Sequence, residues 1–195
     1  MTNAQTTETR YLSCAETAKL VRKALKRAYP DVKFSVRSKT YSGGASIDVS
    51  WIDGPTTKQV DPAVKTFAGA DFDGMIDLKH YCETWLLPDG SVAPGYSAGT
   101  EGSRGSDPGY AFAPPAPDAE LVHFGADFVF TNRHDSREAL EAAVEATCAY
   151  WGIEDRPVIV EGRFGGVYLG NDVYLPNLND YSTRLVYRAA QETAR

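Results

Sequence analysis

Residues 32–51 read VKFSVRSKTYSGGASIDVSW, and their alternation decides the fold. Phe34 and Val36 alternate with Lys33, Ser35, Arg37 and Lys39, while Ile47, Val49 and Trp51 alternate with Ser46, Asp48 and Ser50. Successive side chains of a strand point to opposite faces, so this period of two sorts apolar residues to one side and polar residues to the other. Gly43 and Gly44 supply the turn. The stretch reads as a β-hairpin with one face for a core and one for solvent. The solvent face carries Lys33, Arg37 and Lys39, with Tyr41 near the tip.

The cover for the apolar face lies just upstream. Ser13 followed by Glu16 is a capping box that starts a helix. At about 100° per residue, Thr17, Ala18, Leu20, Val21, Ala24, Leu25 and Ala28 share one side. Lys19, Arg22, Lys23, Lys26 and Arg27 share the other, and Tyr29-Pro30-Asp31 ends the helix, placed near 13–29. Laid on the hairpin, such a helix points its basic stripe away from the hairpin's polar face, which argues against one continuous basic patch.

Downstream, Asp53-Gly54-Pro55 reads as a turn and helix entry. A second helix is expected within 57–68, with a kink or a late start after Asp61 because Pro62 interrupts it. Asp71–Asp77, DFDGMID, reads as an acidic turn, and residues 80–87 as a strand. Residues 88–118 hold six Gly, six Pro and four Ser without periodicity, which predicts a long functional loop, an insertion or disorder. Regular structure resumes with one or two strands over 120–132 and a helix at 136–151, capped by Asp135 or Ser136 and stopped by Gly152. A hairpin around Arg163-Phe164-Gly165-Gly166 and a last helix from near Asp180 complete the chain.

The fold class is α+β: a helix packed on a β-hairpin and a mixed or antiparallel sheet, with further helices over the same core. One domain over 1–195 is expected, with a flexible arm at 1–11, an α-β-β-α-β region at 12–87, the long loop at 88–118 and a β/α portion at 119–195. The 195 residues are 43% hydrophobic, enough for a real core. No apolar run approaches the ~18 residues of a membrane span, and the first residues lack the apolar region of a secretory signal. Three distant cysteines do not make a disulfide framework, so a reducing cytoplasm is the expected compartment. The net charge of −6 is uneven: residues 1–40 hold nine Lys/Arg against three acids, and the remainder holds 11 against 23. That pattern predicts a basic face on an acidic body.

Two residue clusters bear on chemistry. Asp71, Asp73 and Asp77 are hard oxygen donors at close spacing, suited to Mg²⁺ or Ca²⁺, although Asp-Gly stretches are also common turns. His80 and Cys82 share a strand face, and Cys82 with His123 or His134 would make a nucleophile–base pair. Phosphate-cradling loops, nucleophile elbows and zinc-deaminase spacings do not occur, and no cofactor is expected.

The segments FSVR (34–37), SIDVSW (46–51) with Asp53-Gly54-Pro55, and FDGM (72–75) with Asp77 resemble the large polyvalent protein-associated domain 29 family. The resemblance covers about residues 14–80 and extends toward GADFVFTNRHDSRE (125–138). It implies an accessory protein of a phage or conjugative element that travels with invading DNA, with no catalytic residues to carry across. The expected function is non-enzymatic binding: countering a host defence system, as an anti-CRISPR or anti-restriction protein does, or protecting incoming DNA. The alternative is a small divalent-metal-dependent enzyme acting on nucleic acid or nucleotides through Asp71, Asp73 and Asp77. The expected partner is a host defence protein, a nucleoprotein or DNA itself, engaged through Arg22, Lys23, Lys26, Arg27, Lys33, Arg37, Lys39 and Tyr41. No membrane partner is expected.

Overall fold

A computed structural model describes residues 8–100, 107–162 and 166–192. In chain order the elements are β1 (Arg10–Ser13), α1 (Cys14–Ala28), β2 (Ser35–Tyr41), β3 (Gly44–Ile52), α2 (Thr57–Val64), a 3₁₀ turn (Lys65–Phe67), β4 (Ala70–Asp73), β5 (Leu78–Leu86), β6 (Val92–Ser97), β7 (Tyr110–Ala111), β8 (Glu120–Gly125), β9 (Phe128–His134), α3 (Arg137–Trp151), β10 (Val158–Glu161), β11 (Val167–Gly170), β12 (Tyr174–Leu175), β13 (Asp180–Tyr181) and α4 (Ser182–Glu192). The class is α+β, as the alternation and capping signals predict. Among the described residues, no helix is long and apolar enough to cross a membrane.

The chain falls into two compact units. The first comprises Met1–Ser50 and Lys58–Asn132, the second Trp51–Thr57 and Arg133–Arg195. In the first unit, one sheet runs β1-β8-β5-β6-β7, with β4 also paired to β5. The β1–β8 pair is parallel, and the β5 pairs are antiparallel. A second sheet runs β2-β3-β9. α1 packs against β2, β1 and β8. Its stripe of Ala18, Val21 and Leu25 is at most 1% exposed, as are Ile47 and Val49 of the hairpin. Phe67 and Phe124 add an aromatic pair, 5.4 Å between ring centres.

The structure refines three expectations. Arg10 and Tyr11, placed in the expected arm, pair with Val122 and His123, and residues 1–7 lie outside the described set. α2 starts at Thr57 and runs through Pro62 before tightening into the 3₁₀ turn, so there is no late start. The segment 88–118 is not one loop, because β6 and β7 extend the main sheet. Pro94 and Gly95 hide that strand from propensity, yet both fit it. Pro94 stands opposite Thr84, where the register shifts. A Cβ on Gly95 would fall 2.7 Å from Leu121 Cδ1 and 2.8 Å from the Glu83 carbonyl oxygen, so only glycine lets the backbones approach. Residues 101–106 of that segment lie outside the described set, as do Arg163, Phe164 and Gly165 of the expected late hairpin, whose strands β10 and β11 do pair.

The second unit is built on α3 and α4, whose Leu140, Val144, Cys148, Leu185 and Val186 share a core with Ile153 and Leu169. Ser136 caps α3 by accepting the Ala139 N–H at 3.1 Å, and Gly152 ends it with φ 63°. Asp53 adopts φ 53°. Its carboxylate accepts the Ser136 N–H at 2.9 Å, and its own N–H donates to the His134 carbonyl at 2.8 Å. Trp51 donates its indole N–H to the Pro55 carbonyl at 2.8 Å.

Gly69 gives a test of the first unit. A Cβ there would lie 1.8 Å from the Phe124 carbonyl oxygen, which is backbone and cannot swing aside, whereas a Cβ on Gly74 meets nothing within 4 Å. Denaturant unfolding is expected to show Gly69→Ala destabilised by about 2 kcal/mol or more and Gly74→Ala nearly unchanged, within about 0.5 kcal/mol.

Candidate functional site

The basic surface begins with the burial of α1. Ser13 Oγ accepts the Glu16 N–H at 3.3 Å and Glu16 Oε2 accepts the Ser13 N–H at 2.9 Å, closing the capping box. The hydrogen bonds from Ser13 hold the Glu16 carboxyl below its ordinary range. With Cys14, Thr17, Ala18, Val21 and Leu25 buried, Lys19, Arg22, Lys23, Lys26 and Arg27 stay outside.

These cations separate into two environments. Arg27 pairs with Asp89, Nη1 to Oδ2 at 3.7 Å, and a second nitrogen donates to the Asp89 backbone carbonyl. Lys23 lines a cleft of about 310 Å³ with Arg10, Asp89, Asp118 and Glu120, so acids face that side of the stripe. On the other side, Arg22 donates to the Val36 carbonyl at 2.7 Å and Lys26 to the Pro30 carbonyl at 2.8 Å. A carbonyl holds a cation in place without cancelling its charge. Arg22, Lys26 and Lys33 line one cleft of about 410 Å³, floored by Leu25, Phe34 and Val36, with Asp31 as its one acid. The expected separation of helix and hairpin charges therefore fails at this joint. The reversal at Tyr29-Pro30-Asp31 returns Lys33 beside the last turn of the helix that carries Arg22 and Lys26. The Pro-Asp break was the sequence signal for that return, although it does not give its direction.

Arg37, Lys39 and Tyr41 stand opposite Asp48, Ser46 and Gly44 along β2. They alternate with buried Val36 and so occupy the other face of the strand. All three are exposed, Tyr41 by 44%.

The aspartate cluster is distributed over a hairpin. Asp73 is 3% exposed. Its Oδ1 accepts the Met75 N–H at 2.9 Å, and its Oδ2 accepts the Thr100 hydroxyl at 2.8 Å and the Asp107 N–H at 3.1 Å. The Thr100 hydroxyl, then the backbone donors, hold its carboxyl below the ordinary 3.8 against the opposing effect of burial. Asp71 is exposed and accepts the Phe72 N–H at 2.8 Å, and Asp77 sits in the turn with φ 55°. Among the described residues, no group of three or more His, Cys, Asp or Glu is arranged to hold a metal.

His123 and His80 each make one hydrogen-bond contact through Nδ1. His123 Nδ1 donates to the Cys82 backbone carbonyl at 3.1 Å and does not address the thiol. Cys82 instead faces Tyr110 in a cavity of about 600 Å³ walled by Phe72, Phe128 and Phe130. Burial, then the Cys82 thiol and Asp71, push the Tyr110 hydroxyl up to about 12. His80 Nδ1 lies 3.0 Å from Ser97 Oγ, and its Nε2 lies 3.7 Å from Asp107. This has the order of a nucleophile, base and acid. However, Ser97 is 1% exposed and its hydroxyl serves the Tyr81 carbonyl and the Gly99 N–H, so substrate has no approach.

Asp73 yields a pH prediction. A carboxyl held low when folded contributes stability above its unfolded pKa, and that contribution is lost as pH falls through the folded value. Below about pH 4, wild type should therefore lose stability more steeply than Asp73→Asn in parallel acid titrations followed by circular dichroism. Equal slopes would remove Asp73 from this role.

The family model of the large polyvalent protein associated domain 29 matches residues 12–136. The match runs from the end of β1 to the cap of α3 and includes the hairpin, Asp53, Asp73 and β9. Neither the curated proteins nor the solved structures give a significant match. With well over half its length matched, the chain belongs to the large polyvalent protein associated domain 29 family, a group associated with phages and mobile genetic elements.

Proposed function

We propose that this chain is a non-enzymatic accessory protein that serves an invading element by binding nucleic acid through the cleft between α1 and β2. The observation that carries the reading is the convergence of Arg22, Lys26 and Lys33 on one cleft that contains a single acid. Cations along a nucleic-acid backbone displace condensed counterions, which gives affinity that depends on salt and little on sequence. Arg22, fixed by the Val36 carbonyl, presents its remaining N–H donors in a set orientation, as a phosphate fork requires. Shielding incoming DNA, or denying it to a host defence complex, is the role such binding would serve.

The two environments on α1 make the test selective. Duplex and single-stranded DNA binding should weaken with salt at a log–log slope of about −2 to −3, as three phosphate contacts predict. Lys26→Glu/Lys33→Glu should abolish it. Lys23→Glu/Arg27→Glu should cost much less, since acids already face those side chains. Absence of binding at low salt, or equal loss in the two double variants, would sink the reading.

A further inference from the structure

The edge of β2 supports a second binding mode, independent of the nucleic-acid reading because it rests on backbone geometry. β2 ends the order β2-β3-β9, so among the described residues one side of the strand has no neighbouring strand. The hairpin closes through a two-residue turn, Ser42-Gly43, between Tyr41 and Gly44. In such a hairpin the closing pair exchanges both backbone hydrogen bonds, and every second pair after it does the same. Tyr41, Lys39, Arg37 and Ser35 therefore bond inward to β3, while Thr40, Ser38 and Val36 direct their N–H and C=O groups outward. The Arg22 bond to the Val36 carbonyl is an internal check: that carbonyl is reached by a side chain from α1, as an outward group must be.

Arg22 caps one end of the row. Ser38 and Thr40 are exposed, and every residue from Arg37 to Tyr41 is exposed. An uncovered edge of this kind is a template for another strand. Its charge determines what can add. Arg37 and Lys39 flank Ser38 on the face away from α1, and Lys33 precedes the strand. A second copy pairing antiparallel about this edge would bring Arg37 and Lys39 of both chains together, which like charge disfavours. A strand with carboxylates at alternate positions would place them beside these cations.

We infer that the open edge of β2, from Arg37 to Tyr41, accepts an extended acidic segment of a partner protein as an added strand. The main-chain groups of Ser38 and Thr40 supply the pairing, and Arg37 and Lys39 select the sign of the partner's charge.

The probes are two hexapeptides, one alternating Glu and Val and one alternating Lys and Val, titrated to millimolar concentration against the full chain and followed by amide NMR. The Glu-Val peptide should shift the Ser38 and Thr40 amides and slow their hydrogen exchange, and the Lys-Val peptide should do neither. Ser38→Pro removes an outward N–H without touching the β2–β3 ladder, so it should keep the melting temperature and weaken the Glu-Val peptide at least about tenfold. Arg37→Glu/Lys39→Glu should exchange the preference for the two peptides. Nucleic-acid binding by Ser38→Pro should be unchanged, which separates this inference from the function proposed above. No protection at Ser38 and Thr40, equal protection by both peptides, or protection that rises with protein concentration alone would overturn the acidic-strand assignment.

Discussion

The burial of one stripe of α1 is the constraint on which the surface depends. Val21 and Leu25 are at most 1% exposed, and each such side chain contributes roughly 1.5–3 kcal/mol when removed from water. A helix with that much apolar surface on one side cannot rotate to hide its cations. Once Ala18, Val21 and Leu25 face the sheet, Arg22 and Lys26 must face out, and the carbonyls of Val36 and Pro30 then fix where their charges stand. The core thus sets the position of the basic cleft.

Elements whose signals are local were legible in the sequence. The Ser13–Glu16 box, the Ser136 cap, the Gly152 stop and the alternation of Ile47, Val49 and Trp51 each act within a few residues, and each occurs where the pattern placed it. Features that depend on a distant partner were not legible. β6 contains the residues that normally break strands, and Gly95 becomes intelligible only once Leu121 and Glu83 are seen beside it. The site divides in the same way. The list of basic residues could be read directly. Their separation into a group that shares its cleft with one acid, Arg22, Lys26 and Lys33, and a group facing several, Lys23 and Arg27, depends on Asp89, Asp118 and Glu120, which lie more than sixty residues away in sequence.

Several of the residues that carried the family resemblance hold the fold together, while others, such as Arg37 and Met75, are exposed. Trp51 is 2% exposed with its indole bonded to Pro55, Asp53 caps the entry to α3, and Asp73 closes a turn through three donors. Asp73 already engages three of its roughly four acceptor positions with these donors, which leaves it little capacity to ligate a metal. The shared motif therefore reads as a scaffold specification, and it fixes backbone positions without fixing what the surface binds. Function has to be sought among residues that the scaffold holds but does not use. On β2 these are Arg37, Ser38, Lys39 and Thr40, exposed on a strand whose inner neighbours Ile47 and Val49 are fully buried. A strand anchored on one side and open on the other is rigid enough to present its backbone at low entropic cost, which distinguishes this edge from a loop of similar charge.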